Sequence, residues 1–283
     1  MSRDPAHFTA VAASVPKGKR KLATLADIRE EIDRIDAQMH ALLIERSAVV
    51  SDLIAIKKVQ PPVDGDPARR TSAFRPAREA SMMHAMIERH SGLLPLDTVE
   101  SIWRVIISTF TYVQAPYDVI YAHAGHPLDM RDVSRFHFGY TVPLTSVDGA
   151  DAVLSAVGTR GDALGLVPLH ATGAWWQALE ADDAPNVIAR LPFVERADHP
   201  AGMPCLVVAN APIDREVMAA TVLSVRLDKD AAEALPDTVD ILAHHADQFL
   251  LSVADDDALT ALQSHWGVHT FTTVGSHAPL FRA

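Results

Sequence analysis

The segment from Leu25 to Lys58 contains neither glycine nor proline, and its apolar residues recur at alternating intervals of three and four positions. This spacing predicts an amphipathic α-helix of about nine turns, with Thr24 as its N-cap and Asp27 placing negative charge in the first turn. The alternation favours packing against another helix in a left-handed seam. A helix of this length without breaks is typical of a coiled coil or of a bundle built across subunits, so we expect a homodimer.

Among the cations of the predicted helix, Arg29, Arg46 and Lys57 are widely spaced. At a rise of about 1.5 Å per residue, Arg29 lies about 25 Å from Arg46 and about 42 Å from Lys57. Arg46 and Lys57 are about 16 Å apart along nearly the same face, so their long side chains can converge on one ligand. Arg29 cannot join them within a single straight helix. A second copy of the helix must supply it.

Composition and charge narrow the class of protein. The 283 residues are 48% hydrophobic and include one cysteine, Cys205, and no apolar run approaches the roughly 18 residues of a membrane span. We therefore expect a cytoplasmic protein of two domains that does not enter a membrane. The chain has a net charge of −11. Its main basic cluster, Lys17 to Lys21, belongs to a predicted disordered tail over residues 1–22, so nucleic acid is not an expected partner.

The pattern of apolar residues changes near Ala115-Pro116. A loop rich in proline and polar residues follows Lys58, and helical spacing resumes over residues 77–90 and 99–114. From residue 116 onward, short β-branched runs alternate with helical stretches, which is typical of an α/β domain. We predict seven strands in these runs, over residues 119–124, 164–169, 187–193, 204–210, 220–227, 238–243 and 268–274. We predict an α+β multidomain protein with a helical domain over residues 23–115 and an α/β domain over residues 116–283.

The two shorter predicted helices bring further polar groups. Arg78 and Glu79 begin the second helix, and Gln114 ends the third. If these helices close over the first, they form a pocket with fixed cations, one carboxylate and one amide. Such a pocket suits a small anionic ligand.

The pattern L-x-x-I-R-x-x-I-D-x-I-D, then E-R, K-K, R-P-x-R-E and a terminal Q resembles the all-helical class of chorismate mutases. The resemblance implies three helices interlocked with those of a partner, chorismate as substrate, and neither cofactor nor metal. It also implies roles for six residues. Arg46 and the partner subunit's Arg29 would hold the two carboxylates of chorismate, and Arg78 would support the same end. Lys57 and Gln114 would bind the ether oxygen, and Glu79 would accept from the ring hydroxyl.

One position departs from the family pattern. Phe110 stands where the family often has a small hydroxyl residue near a substrate carboxylate. Two alternatives to the mutase stay open. An isochorismate-pyruvate lyase shares the helical fold and much of the first motif, and a non-catalytic sensor of the same metabolites would tolerate the loss of the hydroxyl. The R-P-x-R-E run with Glu79 favours the mutase.

The second half resembles a degenerate prephenate dehydratase domain, which implies a two-lobed fold like that of periplasmic binding proteins. Residues 165–170 and 203–210 lack the acid, amide, hydroxyl and cation of the dehydratase motifs, so dehydratase activity is not expected. The runs R-F-H-F-G-Y-T-V-P-L and G-A-W-W-Q-A-L resemble a fused bacterial form of chorismate mutase.

Other groups of histidine, tryptophan and arginine residues in this half are predicted to be structural or solvent-exposed rather than functional. The histidines at 244, 245, 265 and 269 lack the spacing of a metal site, so we predict no metal. Trp175 and Trp176 are expected in the core or between lobes. Arg131, Arg135 and His137 are expected on a solvated helix face rather than in an effector cleft.

Overall fold

The computed structural model describes residues 24–59, 74–123, 127–211, 220–254, 256–265 and 271–282. The predicted tail, most of the loop after Lys58 and His269 lie outside these ranges. Contacts within the chain divide it into two compact units, one ending at Asp52 and the other beginning at Leu53. Each unit is described by itself.

The first unit consists of the N-terminal part of helix α1, which spans Leu25–Val59. Its start has a reciprocal pair of hydrogen bonds: the Thr24 amide donates to the Asp27 carboxylate at 2.9 Å, and the Asp27 amide donates to the Thr24 hydroxyl at 3.2 Å. These bonds satisfy amides that the first helical turn leaves without partners, and they lower the pKa of Asp27. The predicted helix and its cap are confirmed.

Most apolar side chains of α1 are exposed. Their exposed fractions run from 37% at Leu43 to 75% at Leu25. The stripe formed by these residues, which we call the α1 stripe, consists of Ile28, Ile32, Ile35, Met39, Leu42 and Leu43. Folded monomers rarely leave so long an apolar stripe open to water.

The second unit begins with the end of α1 and continues with α2, Pro76–Arg89, and α3, Leu96–Gln114. Both helices were predicted, and Pro76 occupies the first turn of α2, where its missing amide hydrogen costs nothing. The side of α3 that packs inward differs from a simple apolar stripe. Ile102, Val105 and Val113 are exposed, whereas the buried residues of this helix are Glu100, Arg104, Ile107, Ser108 and Thr111.

A nine-stranded mixed sheet forms the centre of the second unit. Its strands are β1 Asp118–Ala122, β2 Leu144–Val147, β3 Ala163–Pro168, β4 Asn186–Leu191, β6 Cys205–Ala209, β7 Ala220–Arg226, β8 Val239–His245, β9 Gln248–Val253 and β10 Phe271–His277. They lie in the order β2-β1-β3-β6-β4-β10-β7-β9-β8. The pairs β1–β2, β1–β3 and β4–β10 are parallel, and the others are antiparallel. The short strands β5, Val194–Glu195, and β11, Phe281–Arg282, pair separately.

Helices cover both faces of this sheet. They are α4 Pro127–Phe138, α5 Gly149–Gly158, a 3₁₀ helix Trp175–Glu180, α6 Lys229–Glu233 and α7 Asp256–His265. Alternate residues of β1 enter two different cores, because successive strand side chains point to opposite faces. Val119 packs with α2, α3 and α4, while Ile120 packs with α5 and the 3₁₀ helix. A third core lies between β7, β8, β9 and the last two helices.

The α+β organisation predicted from the sequence is thus present. The seven predicted strands are found, and β2, β5, β9 and β11 are additional. Trp175 and Trp176 are buried with their rings in a T-shaped arrangement, as the core interpretation predicted. Nine of the described strands form one continuous sheet, and the two-lobed arrangement stays a prediction. The boundary at Ala115-Pro116 also stays a prediction, since α2 and α3 share a core with β1 and α4. Among the described residues, no helix has both the length and the apolar character needed to cross a membrane.

Candidate active site

The cations of α1 lie where the spacing argument placed them. Arg29 is exposed and Arg46 is half-buried, and the 17 residues between them correspond to about 25 Å along the helix axis. Lys57 lies within the last turns of the same helix, and its side chain is outside the description.

Arg78 and Glu79 lie in the first turns of α2 with opposite environments. Arg78 is exposed, whereas Glu79 is only 4% exposed. Successive residues of a helix project about 100° apart, so this part of α2 directs the carboxylate inward and the guanidinium outward. Neighbouring residues of the second unit shield the Glu79 side chain almost completely from solvent.

The partner of Glu79 is Arg104 on α3, whose side chain is completely buried. Arg104 Nη1 donates to Glu79 Oε2 at 2.8 Å, and Nη2 donates to the backbone carbonyl of His137 in α4 at 3.0 Å. The guanidinium carbon lies 5.0 Å from the centre of the Phe193 ring, close enough for a cation–π contact. Arg104 therefore joins α2 to the α/β part of the unit.

Glu79 keeps one oxygen available. Within the described part of the chain, Oε2 is held by Arg104 and Oε1 has no hydrogen-bond partner. Burial raises the pKa of the Glu79 carboxyl, and the Arg104 charge opposes that rise. The Tyr117 hydroxyl is also buried near this pair without a partner in the described residues, and burial and the Glu79 charge raise its pKa. A buried carboxylate with one bound and one open oxygen is suited to accept a hydroxyl hydrogen bond.

Sequence reasoning missed Arg104. The available signal was its spacing, since Glu100, Arg104, Ile107, Ser108 and Thr111 recur as one helix face. That face is polar, and an interpretation based on apolar periodicity places it in water.

A second buried ionic group lies one turn earlier on α3. Glu100 is fully buried; both of its carboxylate oxygens lie 3.2 Å from His199 Nε2, and Oε2 lies 3.5 Å from Arg196 Nη2. Arg196 also approaches Asp97 at 3.6 Å. These contacts link α3 to the segment after β5 without involving Glu79.

The end of α3 carries the last predicted site residue. Gln114 is half-buried, and its Nε2 donates to the Phe110 carbonyl at 3.0 Å. Phe110 is half-buried as well. The Gln114 amide nitrogen carries two N–H donors, and this bond uses one of them.

A cavity of about 380 Å³ lies elsewhere in the second unit, beside β4, the segment after β5 and the C-terminal strand. Three arginines line it, Arg190, Arg196 and Arg282. Each of them pairs with a carboxylate: Arg190 with Asp240, Arg196 with Asp97 and Glu100, and Arg282 with Glu195. The cavity therefore has no surplus of positive charge with which to recruit an anion.

One interpretation of the α/β half needs correction. His137 was expected on a solvated face but is completely buried, with both ring nitrogens lacking a hydrogen-bond partner in the described residues. Burial and the nearby Arg104 charge lower its pKa well below the usual range. The reason is that α4 packs against α3, which covers this position. His244 and His245 are exposed on β8, and the described residues contain no group of three potential metal ligands.

Comparisons with known proteins identify a family for the helical part of the chain. Residues 28–115 match the family model of chorismate mutase type II. A search of solved structures returns a prephenate dehydratase from Streptococcus mutans, at 11% identity and a TM-score of 0.36, covering 57% of this chain and 98% of that one. This is the family that the sequence of the second half resembles, but so slight a likeness assigns it no activity. None of the curated protein sequences compared with the chain matches it. The chain therefore carries a chorismate mutase type II domain over residues 28–115, and the activity that this domain indicates is that of an isomerase.

Proposed function

We propose that the protein converts chorismate to prephenate as a homodimer, in sites to which both subunits contribute. The observation that carries this proposal is the position of Arg29 and Arg46 on one unbroken helix, about 25 Å apart. Two arginines that hold the two carboxylates of one small dianion must approach each other far more closely. Pairing α1 with the α1 of a second copy satisfies that requirement.

The resemblance to chorismate mutases assigns the roles within each site. Arg46 of one subunit and the partner subunit's Arg29 hold the carboxylates, and Arg78 supports the same end of the substrate. Lys57 and Gln114 donate to the ether oxygen. Glu79 accepts from the ring hydroxyl, for which its Oε1 is open.

The conversion of chorismate to prephenate can be catalysed by cationic and amide side chains alone. The conversion is a unimolecular pericyclic shift, which requires neither a nucleophile nor a proton transfer and proceeds without a cofactor. Arginine forks hold the dianion in its folded, reactive shape. Donors aimed at the ether oxygen stabilise the negative charge that grows there as the C–O bond breaks.

Exposure of apolar surface supports the dimer. The α1 stripe is open to water along most of the helix, and α3 exposes Ile102, Val105 and Val113. Two copies that bury these faces against each other remove this surface from water.

We also place the protein in the cytoplasm, because its single cysteine, Cys205, is buried and cannot form a disulfide within the chain.

The test is to incubate the purified full-length protein separately with chorismate and with isochorismate. We expect loss of chorismate with an equal yield of prephenate. Release of pyruvate from isochorismate, with chorismate left intact, would instead identify a lyase. Binding of chorismate without conversion would favour the non-catalytic sensor.

A further inference from the structure

The contact between Glu79 and Arg104 connects the proposed mutase site to the α/β part of the chain. We infer that Arg104 is a positioning residue for the mutase reaction, which fixes the Glu79 carboxylate through contacts supplied by α4 and by Phe193. The inference rests on the proposed function, because it assigns Glu79 to the substrate. It gives the second half of the chain a role in the reaction other than chemistry of its own.

Geometry makes Arg104 an anchor rather than a second ligand for chorismate. Its side chain has no exposed surface, and its two terminal nitrogens are already used, one for Glu79 and one for the His137 carbonyl. The Phe193 ring lies against the guanidinium and limits its movement. A planar group held at both ends and covered on one side keeps its hydrogen-bond directions fixed.

The consequence for Glu79 is a defined orientation and a retained charge. Arg104 binds Oε2 alone, which aims Oε1 in a constant direction. A buried carboxylate without a cation tends to take up a proton, and burial already raises the pKa of this one. Removing Arg104 therefore harms Glu79 in two ways, by freeing its rotation and by favouring its neutral form.

Glu100 offers a matched control on the same helix. It is as deeply buried as Arg104, also forms an ionic contact with the α/β part of the unit, and lies one turn away. It does not contact Glu79. A substitution at Glu100 therefore disturbs the packing of α3 to a similar degree without changing the proposed positioning.

The experiment is a double-mutant cycle on kcat/KM for chorismate, using Glu79→Gln, Arg104→Gln and their combination in the full chain. We expect Arg104→Gln to lower kcat/KM by about 10- to 100-fold, since small displacements of a positioned group have effects of this size. In the Glu79→Gln background the same change should cost less than about threefold, because the residue it positions is already altered. Arg104→Lys, which keeps the charge, should recover part of the loss.

Glu100→Gln should reduce the melting temperature about as much as Arg104→Gln and leave kcat/KM within about twofold of the wild type. Equal losses from Arg104→Gln in both backgrounds, or a comparable loss from Glu100→Gln, would overturn the inference while leaving the proposed function standing. A wild-type protein that does not consume chorismate would overturn both. If Arg104→Gln does not fold, Phe193→Leu replaces it in the cycle, with a smaller loss expected under the same criteria.

Discussion

The proposed sharing of each site between two subunits can be tested by mixing inactive chains. Arg29→Ala and Arg46→Ala should each lower kcat/KM by about 100-fold, because each removes a charged fork from a substrate carboxylate. Because Arg29 and Arg46 are about 25 Å apart on one helix, each site in the proposed dimer would take one arginine from each chain. A dimer of the two variants then has one site with both arginines and one site with neither.

The expected activity follows from counting sites. A purified mixed dimer should show about half of the wild-type activity, and a randomly assembled mixture about one quarter, since about half of its dimers are mixed. The two variants are coexpressed with different affinity tags, the mixed dimer is isolated, and chorismate loss is measured. The matched control pairs a wild-type chain with an Arg29→Ala, Arg46→Ala double variant, which leaves every shared site short of one arginine and should be nearly inactive. Activity in the control dimer, together with no activity in the mixed dimer of the two single variants, would show that each subunit holds a complete site. This result would refute the proposed sharing of sites.

Three further predictions concern other parts of the chain. Lys57→Ala should lower kcat for chorismate by about 100-fold or more, measured in the same assay, because it removes a donor to the ether oxygen; unchanged turnover would mean that the site is wrongly assigned. His277, buried and bonded through Nδ1 to the Ala278 carbonyl and through Nε2 to Ser252, has its pKa lowered from 6.5 to about 4 by burial. The unfolded chain therefore binds more protons at this position between these values, so the contribution of His277 to the free energy of unfolding should be fully retained above about pH 6.5 and fall by about 3 kcal/mol as the pH drops to about 4. Urea titrations across this range should show the fall, and His277→Gln should reduce it by about that amount. Gly165→Ala should destabilise the protein by about 1–3 kcal/mol in thermal melts, since its new methyl group would lie 2.5 Å from Val153 and 2.6 Å from Val208, whereas Gly161→Ala, with no atom within 4 Å, should be nearly neutral.

Local sequence signals predicted α1 correctly, because its capping residues, its apolar spacing and its lack of glycine and proline all indicate one long helix. The Thr24 and Asp27 cap follows from two residues alone. Seven of the strands were also visible as β-branched runs. Strand β9 was missed because Val253 is the only β-branched residue among its six, and because only Ala246 and Asp247, with neither glycine nor proline, separate it from β8.

The surroundings of Glu79 could not be predicted from local signals. The family pattern supplied Glu79, but its partner Arg104 lies 25 residues later, and a charged residue on a helix is usually exposed. Burial of the Arg104 charge is energetically tolerable only when the packing of α2, α3 and α4 supplies hydrogen-bond acceptors for both terminal nitrogens of its guanidinium. That pairing belongs to the tertiary fold.

The core shared by α2, α3 and the sheet sets a lower limit on the piece of chain that can fold. A shortened protein ending at Ala115 would keep every residue assigned to the mutase site. It would also leave Met83, Met86 and Ile107 without the strands and α4 that cover them, and the Arg104 guanidinium without the His137 carbonyl. Swapping or excising the mutase segment at the family boundary therefore cuts through a hydrophobic core, and an exchangeable module has to include the sheet.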